Sequence, residues 1–139
     1  EPFLVASTVN IIIAQRLVRK ICDVCKAPVG IPLEALKKQI PADAIKKHFG
    51  EASEPTTYKG KGCKICHMTG YSGRVGIFEV LEVTKAIREK ITEKNDSDVI
   101  AKTAVAEGMS TMLDDGLEKV AKGMTTIEEV LRVTKVEFL

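Results

Sequence analysis

Two short stretches decide the predicted fold: Cys22-Asp23-Val24-Cys25 and Gly62-Cys63-Lys64-Ile65-Cys66. Each stretch carries a Cys-x-x-Cys pair that can supply two sulfur ligands from one tight turn. A zinc ion prefers four such ligands at about 2.3 Å in a tetrahedron. Glycines beside the second pair permit the turns that this requires. We therefore predict a structural zinc site, with no coordination position left open for a substrate, formed by Cys22, Cys25, Cys63 and Cys66.

Two alternatives to a zinc site stay open for the cysteines. Four reduced core cysteines are one, although random placement seldom gives two pairs flanked by glycine and lysine. A redox dithiol is the other, but one pair would suffice for it and no thioredoxin-like strand precedes either pair. Close pairs in a reducing cytoplasm favour metal over disulfides. His67 follows Cys66 directly, but a fourth cysteine has better spacing, so we expect His67 to face solvent or lie behind the ligands.

The segment before the first cysteine pair is the most apolar part of the chain. Its apolar residues would surround a helix almost completely: Leu4, Val5, Val9, Ile11, Ile12, Ile13, Leu17 and Val18. We therefore predict a buried N-terminal helix that runs into Cys22. It is shorter than the roughly 20 residues needed to cross a bilayer, so no membrane insertion is expected. Because the chain starts at Glu1 without Met and is apolar at once, we expect it to be part of a longer protein whose preceding domain covers this helix.

The segment between the cysteine pairs carries two short amphipathic patterns. One has apolar residues at Leu33, Leu36 and Ile40, and the other at Ile45 and Phe49, with a proline between them. Prolines and glycines on either side limit both segments. We predict a helical insertion at residues 31–50. His48 lies on this insertion without a cysteine nearby in sequence, and we expect an ordinary surface histidine.

The pattern beyond the second cysteine pair changes from a strand to helices. Residues 74–81, from Arg74 to Leu81, are rich in β-branched and aromatic side chains, which predicts a strand. The last helix opens with Thr125-x-x-Glu128, the spacing of a capping box. Four amphipathic helices are predicted, with apolar stripes at Ile87/Ile91, Val99/Ile100/Thr103/Ala104, Met112/Leu113/Leu117/Val120 and Ile127/Val130/Leu131.

These elements together predict a mainly α fold with a minor β contribution. Its parts would be a buried N-terminal helix, a tetracysteine zinc lobe with the helical insertion, a short β element and a C-terminal helical bundle. The absence of tryptophan and the 4% aromatic content suit packed helices. We expect two regions, with the zinc lobe in residues 1–81 and a helical subdomain in residues 82–139.

The charge balance gives no strong attraction to nucleic acid or anionic lipid. The formal net charge is +2, from 21 basic and 19 acidic residues spread along the chain. Four thiolates and one divalent ion would leave a net negative charge that nearby cations offset. These cations are Arg19, Lys20, Lys26, Lys59, Lys61, Lys64 and Arg74. We therefore expect no nucleic-acid partner.

Motifs for catalysis are missing from the sequence. A phosphate-binding loop needs G-x-x-x-x-G-K-[ST], and the one Gly-Lys step, at Gly60-Lys61, has no such context. Asp114 and Asp115 lie on the polar side of a predicted helix, where we expect solvent rather than a catalytic pair. We predict no catalytic and no cofactor-binding residues in this chain, and no enzymatic activity of its own.

Several motifs in the same order resemble the C-terminal zinc-binding region of the type II secretion and type IV pilus assembly ATPases. The first half carries Leu4-Val5-Ala6-Ser7, then Ala14-Gln15-Arg16-Leu17-Val18-Arg19 and the first cysteine pair. The second half carries Thr69-Gly70-Tyr71-x-Gly73-Arg74-x-Gly76-Ile77-x-Glu79, Met112-Leu113-Asp114-Asp115-Gly116-Leu117 and Thr125-Thr126-Ile127-Glu128-Glu129-Val130-Leu131. The resemblance covers residues 4–25 and 60–134 and leaves the insertion unspecified.

The resemblance implies a hexameric cytoplasmic motor that hydrolyses ATP with Mg2+ and lies at the inner membrane through its partners. The nucleotide-binding motifs of such a motor would precede Glu1, so ATP and Mg2+ belong to the parent protein alone. This chain would be its zinc-bearing part, which docks on neighbouring subunits, on the rest of the ATPase chain or on the inner-membrane platform protein. The alternative is a free-standing zinc-knuckle module that binds nucleic acid or acts as a chaperone.

Overall fold

The computed structural model describes residues 7–134, which form an α+β fold with four strands and six helices. The strands are β1 (Ile11–Ile21), β2 (Lys26–Gly30), β3 (Thr56–Gly60) and β4 (Tyr71–Glu82). The helices are α1 (Leu33–Lys37), α2 (Ala42–Phe49), α3 (Lys85–Thr92), α4 (Ser97–Ala106), α5 (Met112–Ala121) and α6 (Ile127–Thr134). β1 pairs with β4 and β2 with β3, in two separate sheets. The prediction of a mainly α fold is therefore wrong.

Most of the described part of the predicted N-terminal helix is a strand. Ser7 and Thr8 are helical, but β1 starts at Ile11 and continues to the first cysteine pair. Leu4 and Val5, with which the predicted helix began, lie outside the described residues. Three consecutive isoleucines, whose β-branched side chains favour extended backbone, explain why this segment is a strand.

Most of β1 is also exposed within this chain, as expected for a segment that a preceding domain would cover, and that cover stays a prediction. Ile11, Ile13 and Leu17 are 56%, 64% and 50% exposed, and burial begins only towards the end of the strand, at Val18 and Ile21. A nearly continuous apolar run matches the helical and the strand period equally well. The β-branched side chains of this run were the signal that favoured a strand over a helix.

The chain divides into two compact units. Among the described residues, the first unit contains 7–15 and Phe78–Met112, and the second contains Arg16–Ile77 and 113–134. β1 and β4 each contribute residues to both units. The division into residues 1–81 and 82–139 stays a prediction.

The first unit has a small core between α3 and α4. The Val83 N–H donates to the Asn10 carbonyl oxygen at 2.8 Å, which fixes the end of β4 beside the start of β1. The hydroxyl of Thr84 caps α3 and the carboxylate of Asp96 caps α4. The buried core residues are Val83, Ile87 and Ala104, with Val9, Leu81, Ile91, Ile100 and Met109 packed against them.

The second unit has the larger core, in which the insertion packs against the C-terminal helices. Both insertion helices and the strand at residues 74–81 are confirmed, as α1, α2 and β4, and the four C-terminal helices are confirmed as α3 to α6. Helices this short depend on such packing for their stability. The buried core residues are Leu36, Ile40, Ile45, Leu117, Val120, Ile127 and Val130.

His48 connects the insertion to α5 and is not a surface residue. Its side chain is 10% exposed, and Nε2 lies 3.1 Å from Oδ1 of Asp114, which is itself 23% exposed. Lys47 Nζ lies 3.6 Å from the other oxygen of Asp114. The predictions of a surface histidine and of a solvated Asp114 are both wrong, because docking of α2 on α5 brings these groups together.

The cap of α6 lies one residue later than predicted. The Glu129 N–H donates to Oγ1 of Thr126 at 3.3 Å, so Thr126 is the capping side chain. Thr125 instead donates its hydroxyl to the Arg19 carbonyl oxygen at 2.8 Å.

Within residues 7–134, every helix is too short or too polar to cross a membrane.

Candidate metal centre

A short antiparallel sheet brings the two cysteine pairs together. β2 begins directly after Cys25, and β3 ends shortly before Cys63. The two strands pair with Lys26 opposite Gly60, so the turns that hold the cysteines lie side by side. The Lys61 N–H continues the pairing and donates to the Cys25 carbonyl oxygen at 3.1 Å.

Neither strand of this sheet was predicted. β2 is five residues long and contains Pro28, and a proline in such a run disfavours a strand prediction. A proline is tolerated here because the sheet has two strands, and each is therefore an edge strand.

The four predicted ligands converge, with all four sulfur atoms within 4.8 Å of one another. The Cys22 and Cys63 sulfurs are 3.8 Å apart, as are those of Cys25 and Cys66. The sulfurs of Cys63 and Cys66 are 3.6 Å apart. These separations exceed the roughly 2.05 Å of a disulfide. They match the edge of roughly 3.8 Å in a tetrahedron with 2.3 Å metal–sulfur bonds, so the four cysteines could hold a metal ion.

Backbone N–H groups surround two of these sulfurs. Burial raises the pKa of the Cys66 thiol, but N–H donors from Cys63 and Gly70, at 3.3 and 3.2 Å, bring that pKa down to about 6. Burial raises the pKa of Cys25 to about 11, although the Gly62 N–H donates to its sulfur. Thiolates are the metal-binding form of cysteine. The site therefore already favours a thiolate at Cys66, whereas a bound cation would have to deprotonate Cys25.

The other side chains predicted near the cysteines face solvent or pair with carboxylates. His67 is exposed and lies outside the sulfur cluster. Lys20 and Lys26 lie 3.4 and 3.8 Å from the carboxylate of Asp23, so part of their charge is already balanced. Arg19 points to a carboxylate in the C-terminal helix, Glu129.

Two glycines allow the backbone to close around the site. A Cβ on Gly60 would clash with the Gly70 carbonyl oxygen, and a Cβ on Gly70 would lie 2.6 Å from the Gly60 carbonyl oxygen. Gly70 also has φ +83°, which favours glycine. Its carbonyl accepts from the Cys22 N–H at 2.9 Å, which joins the two cysteine turns.

Replacing Gly70 with alanine is expected to destabilise the chain by about 3 kcal/mol, from the left-handed backbone and the backbone clash together. Gly73→Ala is the matched control, because Gly73 has φ +80° but an added methyl group would meet no atom within 4 Å. It should cost about 1 kcal/mol. Urea unfolding in the presence of zinc measures both, and equal losses would contradict the importance of the Gly60–Gly70 approach.

A buried carboxylate that the sequence did not single out lies beside this region. The Glu129 side chain is 3% exposed and accepts from the Arg19 N–H at 2.7 Å, from Arg19 Nη2 at 3.0 Å and from Arg132 Nη2 at 3.0 Å. Burial raises the pKa of Glu129, but the hydrogen bonds from the two arginines outweigh it and hold the pKa at about 2. The carboxylate is therefore ionised throughout the ordinary pH range.

Further contacts connect β1, β4 and the start of α6. The Arg19 guanidinium lies 4.1 Å from the centre of the Tyr71 ring, whose hydroxyl is 2.8 Å from Oγ1 of Thr126. The Ile21 N–H donates to the Met124 carbonyl oxygen at 2.9 Å. Glu129 was missed because it falls on the polar side of the predicted stripe of α6, and its partner Arg19 lies on β1, 110 positions away in sequence.

Comparison with known families adds an independent line of evidence. A family model described as type II/IV secretion system protein matches residues 1–132. The chain is 42% identical over 134 residues to the type IV pilus assembly ATPase PilB of Pseudomonas aeruginosa, with 96% of this chain and 22% of that protein covered.

Two further relatives agree with this. The chain is 42% identical over 136 residues to the type II secretion system ATPase E of Vibrio cholerae, with 97% of this chain and 25% of that protein covered. It is 39% identical over 134 residues to the type IV pilus assembly ATPase PilB of Acinetobacter baylyi, with 95% and 22% covered. The chain thus spans about a quarter or less of the length of these relatives.

Proposed function

This chain belongs to the type II/IV secretion system protein family, and we propose that it is the zinc-bearing C-terminal region of a secretion or pilus-assembly motor ATPase. Its role is structural: one zinc ion on Cys22, Cys25, Cys63 and Cys66 fixes a docking surface, and the chain itself has no catalytic site. ATP and Mg2+ bind elsewhere in the parent protein. The parent works as a cytoplasmic hexamer, peripheral to the inner membrane through its partners.

The observation that carries the zinc assignment is the spacing of the sulfur atoms. Separations of 3.6 and 3.8 Å fit a closed tetrahedral thiolate centre. Soft sulfur ligands in this geometry favour zinc among common divalent ions. With four cysteine ligands no position is left for substrate, which supports a structural role. Elemental analysis of the purified chain should give one zinc per chain.

The docking role is supported by exposed apolar side chains around the cysteines. Val24, Ile65 and Met68 are 67%, 65% and 70% exposed. Each lies within three residues of a cysteine, so the metal centre would hold all three in position. Large apolar side chains this exposed on the two turns of one metal centre support an interaction surface. The expected occupants are a neighbouring subunit or the inner-membrane platform protein.

Replacing Ile65 and Met68 together with glutamine in the full-length motor is expected to reduce secretion or pilus assembly by at least about tenfold, as for the loss of central interface side chains. Zinc content and the unfolding midpoint should stay unchanged. Val105→Gln is the matched control, since Val105 is 48% exposed on α4, far from the cysteines in sequence. Unchanged secretion by the double variant would refute the docking role and leave the zinc assignment intact.

A further inference from the structure

Three arginines line one open cavity in the second unit. The cavity has a volume of about 430 Å³, and its remaining walls are the half-exposed Leu17 and the buried Val18. The arginines are Arg19 on β1, Arg74 on β4 and Arg132 on α6. They come from three elements that are far apart in sequence, so only the fold brings their charges together.

Two of these arginines are held in place and still have donors to spare. A guanidinium carries five N–H donors. Towards Glu129, Arg19 uses Nη2, and Arg132 uses Nε and Nη2. The Tyr71 ring packs on the guanidinium of Arg19 and restricts it further. Within residues 7–134 their remaining guanidinium N–H groups have no acceptor, so they are available in fixed positions, which lowers the entropy lost when a ligand binds.

The third arginine has no partner among residues 7–134. Arg74 is exposed, and within that range no hydrogen bond, ion pair or ring contact involves its guanidinium. No acidic side chain lines the cavity in the described residues. Glu129 balances one of the three positive charges, so the cavity keeps an excess of positive charge.

We propose that Arg19, Arg74 and Arg132 form a binding site for a phosphate group. A phosphomonoester carries about two negative charges at neutral pH and a phosphodiester carries one, and both offer several acceptor oxygens to the positively charged cavity. The planar guanidinium group of arginine can donate two parallel hydrogen bonds to two such oxygens at once. The group can belong to a free phosphate compound, such as a nucleotide, or to a phospholipid headgroup. This proposal stands independently of zinc at the cysteines.

Arg74 is the residue to substitute, because Arg19 and Arg132 also stabilise Glu129. Titration of the zinc-replete full chain with inorganic phosphate and pyrophosphate, by calorimetry at low salt, should show saturable binding. Arg74→Gln should weaken the affinity for phosphate by at least about tenfold, as expected when the charge-assisted hydrogen bonds of one guanidinium group are lost. Arg74→Lys keeps the charge but cannot donate two parallel hydrogen bonds. Its affinity for phosphate should therefore lie between those of the unsubstituted chain and Arg74→Gln. Lys102→Gln removes the same charge from the exposed face of α4 and should leave binding unchanged.

A second arm identifies the source of the phosphate group. The same variants are sedimented with vesicles of phosphatidylglycerol and, as the neutral comparison, of phosphatidylcholine. Arg74-dependent binding to the anionic vesicles alone assigns the site to headgroups, and Arg74-dependent binding to pyrophosphate without vesicle binding assigns it to free phosphate compounds. Either result supports the proposal. Absence of saturable binding in both arms, or equal losses in Arg74→Gln and Lys102→Gln, would overturn it.

Discussion

Replacing Cys66 with serine is expected to abolish stoichiometric zinc binding and to unfold the second unit at 25 °C. Structural zinc sites contribute about 10–16 kcal/mol of apparent binding free energy at neutral pH. A whole domain has a net stability of only about 5–15 kcal/mol. Cys66 is 3% exposed, and its sulfur lies 3.6 Å from that of Cys63 and 3.8 Å from that of Cys25. Loss of this ligand would therefore remove most of the stability of the unit.

The measurements are zinc content by elemental analysis and thermal unfolding followed by far-ultraviolet circular dichroism. A strong chelator added to the unsubstituted chain should reproduce the Cys66→Ser result. His67→Ala is the matched control, because His67 is the adjacent residue but is exposed and outside the sulfur cluster. A Cys66→Ser chain that kept one zinc and a cooperative transition would contradict a closed four-cysteine site.

Replacing Glu129 with alanine is expected to lower the free energy of unfolding by about 3 kcal/mol. Breaking a buried ion pair costs about 3–5 kcal/mol because the remaining charge loses its partner. The lower value applies here, since the Arg19 and Arg132 side chains are 51% and 55% exposed and water can solvate them. The control is Glu118→Ala, which removes a 55% exposed carboxylate paired with Lys122 and should cost less than about 1 kcal/mol. Urea unfolding compares the two, and equal losses would show that burial of Glu129 contributes nothing.

The charge of Glu129 also makes a pH-dependent contribution whose sign follows from its pKa. The pKa is lowered from 4.5 to about 2 in the folded chain. The stabilisation is therefore fully present above pH 4.5 and is lost as the pH falls towards 2. The difference in unfolding free energy between the unsubstituted chain and Glu129→Gln, which keeps the shape but not the charge, should shrink by up to about 1.4 kcal/mol per pH unit in that window. Because protons compete with zinc for the thiolates in this window, both chains are compared at the same saturating zinc concentration, and a constant difference would contradict the lowered pKa.

The helices after the second cysteine pair show where sequence patterns sufficed. The stripes at Ile87/Ile91 and at Ile127/Val130/Leu131 predicted α3 and α6, and both helices bury these residues wholly or in part. Such stripes are local, because every residue of one face lies within a few positions of the next. The capping threonine was predicted one residue too early, because two consecutive threonines offer the same local signal.

The N-terminal segment and the insertion show where patterns failed. Residues 11–18 are apolar at nearly every position, so periodicity could not separate a helix from β1. His48 looked like a surface residue because its partner, Asp114, lies in α5, far away in sequence. In both cases the deciding contacts are long-range, and a window of neighbouring residues does not contain them.

The sequence by itself determined the family, the two Cys-x-x-Cys pairs that could hold a metal ion, the helical stripes and the strand at residues 74–81. The tertiary structure alone decided which distant groups meet. Pairing of β2 with β3 sets the sulfur separations, and packing of β1 on α6 buries Glu129 between Arg19 and Arg132. The physical reason is that ligand type and helix face are fixed by covalent spacing. Burial and charge pairing depend on loop closures that bring residues more than a hundred positions apart into contact.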